Sequence, residues 1–136
     1  MSSFPIFDIA GSAMSAQSLR LNTVASNLAN ADVVSSTAEG SYKARMPVFR
    51  AGSATADNPA GSGVQVLGVT QSTAAAEKRY EPGHPLADAE GYVYAANVNV
   101  VEEMTNMISA SRAYQSSVEI MNTAKEMALR TLTLGK

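Results

Sequence analysis

The feature that most constrains this sequence is a long helical pattern at its C-terminal end. The pattern runs from about Val100 to Leu134, with Asn99 as a candidate N-cap and Gly135 as a stop signal. At 1.5 Å per residue, such a helix is about 52 Å long. The whole chain has 136 residues. A compact domain of 136 residues has a radius of gyration of about 14 Å, hence a diameter of about 35–40 Å. The helix is therefore longer than any compact domain that this chain can build.

Two glutamates follow the candidate cap of this helix. Glu102 stands at the third helical position, as in a capping box, and both Glu102 and Glu103 suit the positive end of the helix dipole. Adjacent helical positions point in different directions. We therefore interpret the two carboxylates as capping residues and not as a catalytic pair.

Two neighbouring heptad stripes follow the C-terminal helix. The first comprises Val101, Met104, Ile108, Ser111, Gln115, Val118, Asn122, Lys125, Leu129 and Leu132. The second comprises Met107, Ala110, Tyr114, Ser117, Met121, Ala124 and Ala128. Neither stripe is a purely apolar seam, so we expect this helix to contact more than one neighbour.

The pattern of the N-terminal segment predicts a second helix, from about Pro5 to Ala31, with Ser3 as a candidate cap. Its heptad seam, spaced by three and four residues, comprises Phe7, Ala10, Met14, Gln17, Leu21, Val24, Leu28 and Ala31. Only Gln17 on this seam is strongly polar. The run Asn30-Ala31-Asp32 offers side chains that compete for backbone hydrogen bonds, which predicts that the helix ends there.

The segment between the helices carries strand and loop signals. We predict strands at Tyr42–Arg50, with Pro47 at an edge or bulge, at Val64–Thr70, with a bulge at Gly68, and at Gly91–Tyr94. Small polar residues at 51–63 predict a mobile connection. The sequence of residues 81–85 predicts a turn, of type II if Pro82 and Gly83 occupy its middle.

The predicted fold is mainly α with a small β insert. The long N- and C-terminal helices pair as an antiparallel coiled-coil-like hairpin, and the middle segment forms short strands and loops. The organisation is an N-terminal helix at 1–32, a middle segment at 33–98 and a C-terminal helix at 99–136, the two helices forming one inner helical domain. The middle segment is too small to cover both helices, so we expect other chains to cover their apolar stripes.

The composition excludes several function classes. The 12 acidic and 10 basic residues give a net charge of −2, which disfavours a nucleic-acid binder. There is no cysteine, and His84 is the only histidine, so thiol chemistry and a zinc site are disfavoured. We find neither a nucleophile elbow nor a phosphate-binding glycine loop, and we predict no catalytic residue, cofactor or metal.

Targeting signals are also lacking in the sequence. The first basic residue is Arg20, whereas a cleaved secretory signal needs a basic region before an apolar stretch. No apolar run approaches the roughly 18 residues of a membrane span. The sequence therefore predicts no membrane insertion and no cleaved signal peptide.

Three stretches resemble one protein family. Residues 19–32 resemble the N-terminal signature of bacterial flagellar axial proteins, the rod, hook and hook-associated subunits. Residues 80–88, followed by Gly91-Tyr92-Val93, and residues 97–135 resemble the proximal rod subtype of that family. Two departures are a longer loop after Val34, and Ala95-Ala96 in place of an expected proline.

The resemblance implies a structural, non-enzymatic subunit of the flagellar basal-body rod, which transmits torque and encloses the export channel. It implies a homo-oligomer within a hetero-oligomeric rod in the periplasm, in contact with other rod proteins and the rod–ring adaptor. It further implies export by the flagellar type III apparatus. The alternatives are a soluble helical adaptor or export chaperone, and an envelope enzyme such as a wall hydrolase.

The predicted subunit interface draws on both helices. Its residues are Phe7, Met14, Gln17, Leu21, Val24, Asn27, Leu28, Asn30, Met104, Met107, Ile108, Tyr114, Gln115, Val118, Met121, Asn122, Leu129 and Leu132. Asn27 and Asn30 lie on one face at the end of the first helix, and we expect them to form hydrogen bonds with a neighbouring subunit.

Overall fold

The computed structural model describes residues 5–52 and 61–135. Two helices flank five short strands. In chain order the elements are α1 (Pro5–Ala29), β1 (Val34–Ser35), β2 (Arg45–Ala51), β3 (Val64–Gln71), β4 (Glu77–Tyr80), β5 (Tyr92–Ala95) and α2 (Val100–Leu134). The prediction of a mainly helical chain with a small β insert is confirmed, and the strands pair in an antiparallel manner.

Helix α1 has 25 residues and ends earlier than expected. The Asn30 side chain donates a hydrogen bond of 2.8 Å to the Ser26 carbonyl, and its backbone N–H also reaches that oxygen at 3.2 Å. Asn30 thus satisfies a terminal carbonyl of the helix, which leaves Ala31 outside it. The candidate cap Ser3 lies outside the described residues.

Helix α2 begins as the sequence predicted. The Oδ1 atom of Asn99 accepts hydrogen bonds from the backbone N–H groups of Val101 (3.1 Å) and Glu102 (3.3 Å). These bonds satisfy two of the donors that a helix N-terminus leaves unpaired. The helix then runs for 35 residues and ends at Leu134, directly before Gly135.

The contacts between the helices follow opposite orders along the two segments. Ile6 shares a groove with Met127, and a Cβ atom added to Gly11 would lie 4.0 Å from Met121. Further along α1, Arg20 donates a hydrogen bond of 2.9 Å to the Asn106 side chain. As the residue number increases along α1, the number of the contacted residue in α2 therefore decreases.

One of the two predicted α2 stripes faces the rest of the chain. Its buried residues, which lie seven apart, are Ala110, Ser117 and Ala124, and the buried Glu103 lies seven residues before Ala110. We call the stripe from Met107 to Ala128 the inner stripe and the stripe from Val101 to Leu132 the outer stripe. Small side chains on the inner stripe let the helices approach closely.

The strands form two separate antiparallel sheets. One has the order β1-β5-β4 and the other consists of β2 and β3. The buried side chains of Val93 and Ala95 anchor the first sheet. The sequence did not predict β1, which has only two residues, or β4, whose residues include three charged side chains. Pairing with β5 makes both of them strands.

The two-stranded sheet matches its sequence predictions closely. Pro47 pairs with Val69 in a sheet in which β2 is an edge strand, as a proline requires. The register shifts between Val48 and Phe49, so that Leu67 is the extra residue beside Gly68. The predicted bulge at Gly68 is confirmed.

The predicted turn at Glu81 is confirmed, but its type is not. The backbone N–H of His84 donates a hydrogen bond of 3.0 Å to the Glu81 carbonyl, which closes the turn. Gly83 does not have the positive φ angle that a type II turn requires at that position. The type II prediction is therefore wrong.

Candidate assembly surface

A buried polar cluster joins the end of α1 to β2 and to the start of α2. Asn27 is 0% exposed and lies at its centre. Its Nδ2 atom donates to the Arg45 carbonyl (2.8 Å) and to Oε2 of Glu103 (3.1 Å). Its Oδ1 atom accepts from the Tyr42 hydroxyl (2.9 Å) and from the Arg45 backbone N–H (2.9 Å). One side chain thus connects three elements of the fold.

This cluster corrects the expected role of Asn27. A primary amide offers two donor hydrogens and two acceptor lone pairs. All four are used within the chain, so no hydrogen-bonding capacity of Asn27 remains for a neighbouring subunit. The Asn30 amide likewise bonds inside the chain, to the carbonyl of Ser26.

A second set of polar contacts holds the segment before α2 in place. The sequence did not indicate these contacts. The side-chain oxygen of Asn97 accepts from the Ala44 backbone N–H (2.8 Å), and its Nδ2 atom donates to the Ala74 carbonyl (2.9 Å). Asn97 thus ties the segment before β2 and the segment before β4 to the start of α2. Only its place in the Asn97-Val98-Asn99 motif could have indicated this role.

The loop at residues 81–91 is locked by its own polar groups. The Oδ1 atom of Asp88 accepts from the backbone N–H groups of Glu90 and Tyr92, both at 2.9 Å. The Tyr92 N–H, aided by that of Glu90 and by the Lys78 ammonium group, holds the pKa of the Asp88 carboxyl below its ordinary value. The residues that distinguish the subtype in the sequence therefore form a hydrogen-bonded connection between β4 and β5.

Gly91 completes this loop. Its φ angle is +84°, and a Cβ atom there would lie 3.0 Å from Cε2 of Tyr80 and 3.1 Å from the Pro82 side chain. Glycine is favoured at such a position because other residues are strained there and lack room. The glycine of the Gly91-Tyr92-Val93 motif thus has a conformational explanation.

The predicted interface residues fall into three groups. Val24 and Asn27 are buried within the chain. Half-buried residues are Phe7, Met14, Gln17, Leu21, Leu28, Asn30, Met107, Tyr114, Val118 and Met121. Exposed residues are Met104, Ile108, Gln115, Asn122, Leu129 and Leu132. All six exposed residues belong to the outer stripe.

The apolar ends of the outer stripe face outward. Exposed fractions are 54% for Met104 and 56% for Ile108 near its start, and 52% for Leu129 and 71% for Leu132 near its end. The described part of the chain does not cover them. The outer stripe is therefore an apolar surface with polar residues at its centre.

An open groove lies beside α1. It measures about 530 Å³, and the α1 residues that line it are Gly11, Met14, Ser15, Ser18, Leu19 and Asn22. Tyr114 and Met121 of α2 complete it. We call it the α1 groove.

Residues 5–52 and 61–135 contain neither a cluster suited to a metal ion nor a membrane-spanning helix. No group of three or more acidic, histidine or cysteine side chains is arranged to hold a metal ion. No helix within these residues combines the length and the apolar character that crossing a membrane requires.

Comparison with known proteins defines the class. Residues 7–35 match the family model of the flagella basal body rod protein, and residues 89–134 match that of the flagellar basal body rod FlgEFG protein C-terminal. Both models describe rod proteins of the bacterial flagellum, and they cover α1 and α2.

Curated relatives narrow the class to one family. Flagellar basal-body rod protein FlgC of Escherichia coli O157:H7 is 55% identical over 131 residues, 96% of either chain, and that of Salmonella typhimurium strain LT2 is 54% identical over the same share. The FlgC protein of Yersinia enterocolitica is 49% identical over the full length of both chains. The chain belongs to the FlgC family of flagellar basal-body rod proteins.

Membership confirms the resemblance seen in residues 19–32, 80–93 and 97–135. The chain is a structural subunit of the flagellar basal body and not an enzyme. This excludes the wall hydrolase alternative. The residues that carry the resemblance also build the polar cluster, the entry to α2 and the locked loop.

Proposed function

We propose that this chain is a proximal rod subunit whose two-helix unit is completed by neighbouring axial subunits. The proposal rests on the observation that the buried apolar side chains are small and the large ones are exposed. The buried apolar residues of the described part are six alanines and two valines, whereas nineteen large apolar side chains are exposed. A self-sufficient domain buries its larger apolar side chains. Here the larger ones remain available for contacts between chains.

The outer stripe is the surface that such neighbours would cover. Full burial of a leucine, isoleucine or methionine side chain contributes about 1.5–3 kcal/mol. Leu129 and Leu132 also lie where α2, with 35 residues, extends past the 25 residues of α1. The end of α2 therefore suits contact with another subunit better than contact with its own chain.

We propose that α1 and α2 form an antiparallel coiled-coil-like hairpin that acts as the inner helical domain. The opposite order of their contacts and the seven-residue spacing of Glu103, Ala110, Ser117 and Ala124 support this arrangement. Stacked side by side, such hairpins would enclose the export channel and transmit torque. The strands at 34–95 would then lie outside the helices.

The partners that we propose are other rod proteins and the rod–ring adaptor, with further copies of this chain in a hetero-oligomeric rod. The location is the periplasmic part of the basal body. We propose export by the flagellar type III apparatus without a cleaved signal peptide. These assignments rest on family membership together with the exposed outer stripe.

A charge placed on the outer stripe tests the proposal. Ile108→Asp puts a carboxylate at a position that is 56% exposed, so the monomer should fold normally. The matched control is Ser109→Asp, since the adjacent Ser109 is also exposed but lies on neither stripe. Both variants are expressed in a strain that lacks its own FlgC protein.

We expect Ile108→Asp to be secreted but missing from purified basal bodies, with loss of swimming. Ser109→Asp should be incorporated as the unmodified chain is. Circular dichroism of the purified variants checks that both remain helical. Normal incorporation of Ile108→Asp would contradict the proposal. A chain that is secreted yet absent from basal bodies even without substitution would favour the adaptor or chaperone alternative.

A further inference from the structure

The β2–β3 hairpin has an apolar face that points away from α1. Successive strand residues point to opposite faces, so Met46, Val48 and Arg50 lie on one face of β2. Pro47 and Phe49 lie on the other face, are half-buried and pack toward α1. Met46 and Val48 are 48% and 37% exposed. The outward face of the hairpin is therefore uncovered by α1.

The bulge adds a third apolar side chain to this outward face. Val66 pairs with Phe49 and shares its face, so the next residue, Leu67, points outward. Gly68 stands opposite Val48 without a side chain, which leaves Leu67 beside Val48. Leu67 is 55% exposed. We define the hairpin patch as the outward apolar residues Met46, Val48 and Leu67.

Polar and basic groups border the hairpin patch. The Arg50 guanidinium donates a hydrogen bond of 2.6 Å to the Gln65 side chain, and the Thr70 hydroxyl donates one of 3.3 Å to the Met46 carbonyl. Neither β2 nor β3 contains an acidic residue, and Arg50 is exposed. An apolar centre with a polar rim is the usual composition of a protein–protein interface. The arginine at the rim favours a partner that carries an acidic group.

The end of α2 has a complementary pattern. Glu126, Leu129 and Leu132 follow one another at intervals of three residues, so they form a row on the helix surface. All three are exposed. Met127 shares a groove with Ile6 near the start of α1, so the two leucines lie past that groove. We define the α2-end row as Glu126, Leu129 and Leu132.

The hairpin face and the α2-end row match in the order of their side chains. Along β2 the outward residues Met46, Val48 and Arg50 are apolar, apolar and basic over about 13 Å. From its C-terminal end, the α2-end row is apolar, apolar and acidic over about 9 Å of helix axis. The long, flexible side chains of Arg50 and Glu126 cover the difference in length.

The other apolar end of the outer stripe is a poorer match. Met104 and Ile108 are followed one turn later by Arg112, which is exposed. Side chains four residues apart on a helix are neighbours, so Arg112 would bring a like charge close to Arg50. The charges thus favour the end of α2 over its start as the surface that binds the hairpin patch.

We propose that the hairpin patch of one copy binds the α2-end row of a second copy, with an ion pair between Arg50 and Glu126. The two surfaces lie on different parts of one chain, so their contact repeats from copy to copy without closing, which suits a filament. The proposal rests on the proposed function, because it names the surface that covers the end of α2.

Charge reversal tests the ion pair in a strain that lacks its own FlgC protein. Arg50→Glu and Glu126→Arg each bring like charges together, so incorporation into basal bodies should fall about tenfold for either variant. The double variant restores opposite charges and should regain most of the lost incorporation. Circular dichroism checks that each purified variant is folded. Unchanged incorporation of the single variants, or no recovery in the double variant, would overturn the proposal.

The matched control combines Arg50→Glu with Glu119→Arg. Glu119 is also an exposed glutamate of α2, seven residues before Glu126, and it lies outside the α2-end row. This pair should show no recovery. Recovery equal to that of the Arg50→Glu, Glu126→Arg variant would mean that the net charge decides incorporation, which would overturn the assigned ion pair.

Disulfide cross-linking identifies the second copy as the partner. The chain contains no cysteine, so Val48→Cys and Leu129→Cys in one chain provide the only two thiols. Oxidised basal bodies should yield a ladder of linked copies on a non-reducing gel, whereas Val48→Cys with Ser109→Cys should not. Incorporation of the first pair without a ladder would overturn the proposal. Absence of the unmodified chain from basal bodies would instead contradict the proposed function, so the two failures are distinguishable.

Discussion

Replacing Asn27 by alanine should destabilise this fold more than any other single amide substitution at the end of α1. The change removes four hydrogen bonds, of 2.8 to 3.1 Å, which link the helix to β2 and α2. The Tyr42 hydroxyl keeps a contact with Oγ of Ser26 at 3.3 Å. The Arg45 backbone groups and the Glu103 carboxylate lose a partner in the interior.

The size of the effect follows from those lost partners. A buried polar group left without a partner costs about 1–3 kcal/mol. Some of the freed groups near the edge of the cluster regain water, so we expect a total of about 3 kcal/mol. With an m-value of about 2 kcal/mol/M, the urea midpoint should fall by about 1.5 M.

The matched control is Asn30→Ala. Asn30 lies three residues further on, is half-buried, and donates one side-chain bond, to the Ser26 carbonyl. Its loss should cost about 1 kcal/mol. Urea denaturation of both variants, followed by circular dichroism, measures the difference. Equal shifts for Asn27→Ala and Asn30→Ala would refute the role of Asn27 as the centre of the cluster.

Three further predictions concern the locked loop and the end of α2. Gly91→Ala should destabilise the fold by about 1–2 kcal/mol because of the positive φ angle, whereas Gly83→Ala, with no neighbouring atom within 4 Å, should change the urea midpoint little. The folded state lowers the pKa of Asp88. The stabilisation by the Asp88 carboxylate is therefore present above the unfolded pKa of about 3.9 and is lost as the pH falls through the lower folded value. The difference in urea midpoint between the unmodified chain and Asp88→Asn should be constant from pH 7 to 5 and shrink in stronger acid. Deletion of residues 132–136 should leave secretion intact and abolish incorporation into basal bodies, as measured by immunoblots of both fractions; normal swimming would show that Leu132 makes no necessary contact.

The sequence predicted the helices well because their signals are local. Asn99 caps α2 through its own side chain, and Gly135 follows the last helical residue. Heptad spacing indicated both α2 stripes but not which of them packs inside, because that depends on the partner helix. The inner stripe packs against α1 because its small residues, such as Ala110 and Ala124, permit a close approach of the two helices.

The polar sites were harder to predict because their partners are distant in sequence. Glu103 lies 76 residues from Asn27, and Asn97 lies 53 residues from Ala44. A motif that contains Asn27 indicates that the residue matters, but not whether it faces its own chain or another. The strand β4 was missed for a similar reason, since its charged residues become a strand only by pairing with β5.

The most direct test of the central claim is a cryo-electron microscopy map of the assembled rod that contains this chain. We expect the apolar ends of the outer stripe, with Met104, Ile108, Leu129 and Leu132, to be buried against neighbouring subunits. We also expect Asn27 to keep its four hydrogen bonds within one chain. A map in which the outer stripe faces solvent or an empty channel would contradict the proposed assembly.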